Sequence, residues 1–493
     1  VKIKLKLSAQ WPTRAVKDVQ HMLVVVAKGF AEADVHAHAR MHNVLRRRRV
    51  KLADEPVRGE IDGRLCVWVE VDTAKSVFAQ HTRIRNAMNV LLDEKPAALA
   101  IIVQAGDSVL ADTLAMRAVY VAAVNSQYTL GKPVKKNSNA HAALSDIHLF
   151  GAGNERECQD ALTIAQGNLL ARRFTVRPAN DLTPKRYRAE VGKLAKANGW
   201  YIKEYGFAAL EKMGAGAFCA VAKGSTHRDA AIVHLGYRPK AQRRNKERTK
   251  SVAPIALVGK GICMDTGGYS LKSAKYMYGM HEDMAGSAVV LGILQVVTDL
   301  KLPFAIDAWL AISQNHIGPD AYHPGDVVTA LNGTTIEIVN TDAEGRMVLA
   351  DTLTLAARIK PHAIIDFATL TGAMIYALGT RKCGVFASDE RLSSAAVSSA
   401  ASTGERINLF TAEEDYDEQL ESKLADVKQC LMGSEADAIL ATRFMSRFVQ
   451  DTPWAHVDLS AYNNENGLGA VGSEVNGFGV AWGVELLRRL NGA

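Results

Sequence analysis

The sequence predicts an α/β protein of two domains, each a mostly parallel sheet flanked by helices, with the chemistry carried by the second. Three observations lead there. The chain has 493 residues, which at ~100–200 residues per domain favours two or more. Short apolar runs of strand length alternate with amphipathic stretches of helical period, the signature of a parallel sheet covered by helices. Charged and glycine-rich residues gather where the runs of the second half end, and open α/β sheets build their sites at such strand ends.

The first domain is placed at 1–165. Val1–Leu7 alternates lysine with apolar residues and reads as an edge strand rather than a signal peptide. The chain opens at Val1, so a targeting segment ahead of it stays open. Leu65–Val71 and Leu99–Gln104 read as strands, with helical patterns between them. Asn154–Arg173, with Leu162, Ala165, Leu169 and Leu170 at helical spacing, reads as a connecting helix. Arg177-Pro178-Ala179-Asn180-Asp181 then breaks the pattern.

The second domain is placed at 166–493. Ile255–Val258 reads as a short buried strand, Met284–Leu300 as a helix and Phe304–Ile312 as a strand. Thr335–Val339 reads as a strand, Met347–Arg358 as a helix, and Ala363–Phe367 as a strand running into Ala368–Gly372. No apolar run approaches the ~20 residues of a membrane helix, so no membrane partner is expected. A hydrophobic fraction of 48% and a charged fraction of 23% exclude disordered and fibrous classes. The six cysteines (Cys66, Cys158, Cys219, Cys263, Cys383, Cys430) show no paired spacing. Reduced thiols in an intracellular compartment are the simplest reading. Cys263, two residues before Asp265, is read as a buried structural thiol.

The formal net charge is +7. Two basic clusters stand out, Arg46–Lys51 and Arg238–Lys250. Solvated surface is the plain reading of such blocks. Nucleic acid is the sharper one, although no aromatic residues interleave to offer a stacking platform.

Three segments concentrate the chemistry: Val258–Lys272 (VGKGICMDTGGYSLK), Met280–Gly286 (MHEDMAG) and Asn340–Arg346 (NTDAEGR). Asp342, Glu344 and Arg346 alternate after a predicted strand, and buried unpaired charges there would be costly. A solvated loop is one reading. A site for hard divalent cations, which want carboxylate oxygens and relieve carboxylate repulsion, is the other. Asp283 taken singly is a helix N-cap, and Asp265 a turn residue. Together the four acids suit two cations better than one. Lys260, between two glycines, and Lys272 read singly as exposed lysines. Beside metals, a lysine amine can lose its proton and coordinate.

Together these segments resemble the leucyl aminopeptidase family, of the two-metal cytosol-aminopeptidase type. Asn340–Arg346 matches that family's signature along its whole length, and Val258–Lys272, Met280–Gly286, Asp366–Gly372 and Gly477–Val480 match in register. The resemblance covers about residues 170–493, and before that only position and general α/β character agree.

It implies a cytoplasmic metallo-exopeptidase that releases N-terminal amino acids, leucine-like ones preferred, from short peptides. The cofactors it implies are two divalent ions per subunit (Zn, Mn, Mg or Co), and the assembly a homohexamer. Lys260, Asp265, Asp283, Asp342 and Glu344 would be the metal ligands, Asp265 and Glu344 bridging both ions. Lys272 would act on the substrate carbonyl, and Arg346 would hold a bicarbonate ion as general base. Met277, Thr369, Gly372 and Ser460 would lie at the substrate pocket. DNA binding through the basic segments is the alternative role. Departures from the family are Ser273 in place of a common proline, His281 in place of a frequent lysine, and the run Val457–Ala461. Ser460 and Asn463 fall near positions that are apolar in the family. They bear on side-chain preference, since one changed pocket contact is worth ~1–3 kcal/mol.

Overall fold

The computed structural model describes residues 3–8, 19–127, 143–239, 253–433 and 435–492. Among them the chain forms two compact units. The first comprises Val1–Leu169 with Ala401–Glu405 and Asn464–Asn476; the second comprises Leu170–Ala400, Arg406–Asn463 and Gly477–Ala493. Two short segments from late in the sequence thus belong to the first unit, which no local pattern announces.

The first unit holds a six-stranded sheet of β1 (Lys4–Ser8), β2 (His21–Ala27), β3 (Val57–Ile61), β4 (Arg64–Val71), β5 (Ala98–Gln104) and β6 (Asp146–Phe150). The order is β1-β6-β5-β2-β4-β3, parallel except where β3 meets β4. β2 is buried along nearly its whole length, as a central parallel strand covered on both faces must be. β1 alternates exposed and half-buried residues at the edge, where its lysines meet water. The helices Val77–Leu92 and Ser108–Val124 start at side-chain caps from Ser76 and Asp107.

The second unit holds β7 (Tyr201–Gly206), β8 (Ala231–Tyr237), β9 (Ile255–Asp265), β10 (Ile306–Asn315), β13 (Ala363–Ala368), β14 (Cys383–Ala387), β15 (Ile407–Phe410) and β17 (Trp454–Asp458). The order is β15-β14-β17-β13-β9-β10-β8-β7. The four central strands β17, β13, β9 and β10 run parallel, so their carboxyl ends share one edge. The strands β11 (Val327–Thr329), β12 (Thr335–Glu337) and β16 (Val427–Lys428) form a separate small sheet.

Three elements differ from expectation. β9 extends to Asp265 rather than stopping near Val258, because β10 pairs with it to the end. The strand at Thr335 is three residues long and lies outside the main sheet. The helix expected at Met347 starts at Glu344, so Glu344 and Arg346 stand on its buried first turn rather than on a loop.

Glycines set the closeness of the layers at β9. A Cβ on Gly259 would lie 2.5 Å from the Ser287 Cα, and one on Gly286 would lie 2.0 Å from the Phe367 carbonyl oxygen. The helix Ala285–Asp299 therefore seats its N-terminus directly on β9 and β13. No helix is long and apolar enough to cross a membrane among the described residues.

Candidate metal centre and peptidase site

β9 ends at Asp265, and its Lys260 is buried within the strand. Asp283 lies just before the helix Ala285–Asp299, and Glu344 opens the helix Glu344–Arg358. These elements bring Lys260, Asp265, Lys272, Asp283, Asp342, Glu344 and Arg346 onto the wall of one cavity of about 770 Å³.

Two lysines stand between four carboxylates. Lys260 Nζ is 2.8 Å from Asp283 Oδ1 and 2.9 Å from Glu344 Oε1. Lys272 Nζ is 2.9 Å from Asp265 Oδ2 and 2.6 Å from Asp342 Oδ1. The single-residue readings resolve accordingly. Neither lysine is exposed. Asp283 is not an N-cap: its Oδ1 accepts from Lys260 Nζ and Thr369 Oγ1. Asp265 does hold its turn, since Oδ1 accepts from the Gly267 amide and from Asn315 Nδ2, yet Oδ2 still faces Lys272.

The charges are out of balance. Burial pushes the Asp283, Asp342 and Glu344 carboxyls above their ordinary range, and neighbouring carboxylates add to the push. Burial pulls the two ammonium groups down, but the surrounding carboxylates outweigh it and both lysines are held above the usual value. At the site, the buried carboxylate oxygens Asp283 Oδ2 and Glu344 Oε2 have no hydrogen-bond partner among the described residues. Ligand atoms of Asp265, Asp342 and Glu344 lie within 4.8 Å of one another. Oxygen-rich, electron-rich and under-satisfied, the set fits hard or borderline divalent cations.

The expected pocket residues divide. Thr369, Gly372 and Ser460 line the cavity. Met277 does not; it is half-buried on the short helix Ala274–Met277, and Tyr276 and Met280 face the cavity instead. Ser460 Oγ donates to the Lys382 carbonyl at 2.7 Å, which occupies its proton. Asn463 Nδ2 donates to Glu282 Oε2 at 2.9 Å. Sequence reasoning passed over Thr371, Tyr462, Leu431 and Asp437, all on the cavity wall. Their ordinary sequence surroundings carry no signal of this.

Arg346 stands differently from the expectation. Its guanidinium is buried, and Nη2 pairs with Asp437 Oδ1 at 2.6 Å while Nη1 donates to the Gln429 carbonyl at 3.2 Å. At Nη2 the place expected for bicarbonate already holds a carboxylate of the chain, so bicarbonate does not fit against that nitrogen, while Nε keeps no partner among the described residues.

Of the basic clusters, Arg238 pairs with Asp307 at 2.7 Å, and residues 240–250 lie outside the described residues. Arg48 pairs with Glu55 at 2.7 Å. No disulfide joins the six cysteines, and burial pushes the Cys263 thiol up, away from reactivity.

Comparison with known proteins gives the same direction. Residues 169–484 match the model of the cytosol aminopeptidase family, catalytic domain. A probable cytosol aminopeptidase of Methylorubrum populi is 38% identical over 358 residues, 72% of this chain and 69% of that protein. Another from an Acidovorax species is 41% identical over 321 residues, 65% of this chain and 63% of that protein. Among solved structures, the bottromycin maturation enzyme BotP in complex with Mn superposes with a TM-score of 0.81 at 29% identity. That match covers 96% of this chain and 100% of the other. The chain belongs to the cytosol aminopeptidase family and is a metal-dependent aminopeptidase, a hydrolase.

Proposed function

We propose that this enzyme releases N-terminal amino acids, leucine-like ones preferred, from short peptides, using two divalent cations held by Lys260, Asp265, Asp283, Asp342 and Glu344. The observation that carries the reading is the under-satisfied carboxylate cluster, with Asp283 Oδ2 and Glu344 Oε2 buried and unpartnered among the described residues. Asp265 and Glu344 would be shared between the two ions, and Lys260 would serve as a ligand in its neutral amine form. When bound, the pair supplies a polarised carbonyl and a water acidified toward neutrality. Zn, Mn, Mg and Co all suit such donors, and availability decides among them. The BotP complex with Mn supports a divalent ion of this size.

The chain's own residues do the rest. Lys272, at the cavity wall, donates a hydrogen bond to the substrate carbonyl oxygen as negative charge grows there. Ile375, Leu370, Leu431 and Met280 offer apolar wall to a leucine-like side chain. Thr369 and Gly372 bound the same space. The homohexamer and the cytoplasmic setting rest on the family resemblance. Among the described residues, nothing favours nucleic acid over solvent for the basic segments.

The test is hydrolysis of leucyl-, alanyl- and arginyl-amide reporters by metal-stripped protein, before and after adding Zn, Mn or Co. The expected result is activity restored by metal and highest on the leucyl reporter. No hydrolysis with any metal, in protein shown to have bound it, overturns the reading. Activity highest on the arginyl reporter overturns the leucine preference alone.

A further inference from the structure

Six carboxylates line the cavity: Asp265, Asp283, Asp342, Glu344, Asp437 and Asp458. Asp283 and Glu344 are committed to Lys260, and Asp265 and Asp342 to Lys272. Asp458 is buried, accepting from Thr371 Oγ1 at 2.7 Å and from the Leu370 amide at 3.2 Å. Asp437 alone of the six is set apart from both the lysines and the backbone scaffold. Its Oδ1 pairs with Arg346 Nη2 at 2.6 Å, and its side chain keeps 24% of its surface open.

Two further features hold it there. Asp437 is the first residue of the helix Asp437–Ser446, whose N-terminal partial positive charge favours an anion. Ala436, just before it, takes a left-handed backbone (φ 54°), a strained conformation for a residue with a Cβ. Arg346 in turn has no other ion pair among the described residues, and a guanidinium so deeply buried requires a counter-charge.

We propose that Asp437 is the resident anion of Arg346 and the general base of the hydrolysis, so that this enzyme needs no bicarbonate. The proposal rests on the aminopeptidase reading. As the oxygen of the attacking water bonds to the scissile carbonyl carbon, the Asp437 carboxylate takes one of its protons. When the C–N bond breaks, the same proton passes to the leaving nitrogen. The carboxylate is restored, the peptide is shortened by one residue, and no redox partner enters.

The test compares the metal-loaded wild type with Asp437→Ala and Asp437→Asn in buffer freed of carbon dioxide. Two readouts are taken: saturable binding of carbon-13 bicarbonate by NMR line broadening, scored against Arg346→Ala, and leucyl-amide hydrolysis with and without added bicarbonate. The wild type should bind no bicarbonate at Arg346, and its rate should change less than about twofold when bicarbonate is added. Asp437→Ala should bind bicarbonate, lose about 10²–10⁴-fold in kcat and recover much of it when bicarbonate or formate is supplied. Asp437→Asn, which keeps the shape without the charge, should stay slow in both buffers. Arg346-dependent bicarbonate binding by the wild type, or an Asp437→Ala enzyme with undiminished kcat, overturns the proposal. The binding readout judges it even in a protein that hydrolyses nothing, an outcome that would sink the aminopeptidase reading instead.

Discussion

Lys272 Nζ sits between Asp265 Oδ2 and Asp342 Oδ1, with 14% of its side chain exposed. An ammonium held in that position is oriented before substrate arrives, and preorganised donors are the effective ones. Lys272→Met should lower kcat by about 10²–10³-fold, as loss of a single transition-state donor does. Its metal content should stay unchanged, and steady-state kinetics with metal analysis on the same sample checks both. Asp283→Asn removes an anionic donor whose Oδ2 is unpartnered among the described residues. It should bind one ion tightly rather than two, counted by metal analysis after dialysis. At this scale the sequence was informative because NTDAEGR and its companion segments name their residues one by one. Asp437 was not legible. It lies 91 residues from its partner Arg346, and only folding brings the two together.

Among elements, the seat of the helix Ala285–Asp299 on the sheet matters most to the site, because Asp283 precedes that helix. Gly286→Ala would push a methyl to 2.0 Å from the Phe367 carbonyl. Overpacking of this kind costs about 1–3 kcal/mol or more. The variant should unfold at lower temperature and bind metal more weakly, measured by calorimetry with and without ions. β13 and β17 are joined by a buried polar hub: Asp366 accepts from Trp454 Nε1 at 2.7 Å and pairs with His456 Nδ1 at 2.7 Å. Burial pulls the His456 pKa down, but Asp366 outweighs it and the folded value lies above the ordinary 6.5. A raised value means that the folded state holds the proton more tightly than the unfolded one. The contribution is thus complete below pH 6.5 and fades as pH rises through the folded pKa. The stability gap between wild type and His456→Gln should narrow over that rise, and denaturant titrations at stepped pH test it. A gap that widens with pH would contradict the assignment.

Over the whole molecule, four of the cavity's six carboxylates have only two lysines to balance them. A ligand that binds only the folded state stabilises it, by about 2.7 kcal/mol at a hundredfold excess over Kd. Chelation should therefore lower the melting temperature and added divalent ion restore it, whereas a structure indifferent to metal would count against the centre. Sedimentation of the full chain tests the proposed hexamer by mass.

Periodicity in the sequence determined the α/β class and most core elements, since a strand or helix buried on a fixed face writes its period into neighbouring residues. β5, β13 and the helix Ala285–Asp299 lie within two residues of where their patterns put them. Motif spacing also singled out the lysines and acids that folding collects. What only tertiary structure decided depends on distant partners. β9 runs on to Asp265 because β10 continues beside it, and Glu344 enters a helix because its turn is buried. Ala401–Glu405 and Asn464–Asn476 join the first unit across the sequence. Arg346 meets Asp437 from 91 residues away. Local chemistry fixes the alphabet of a site, but which charge neutralises which is settled by distances that no short stretch of chain contains.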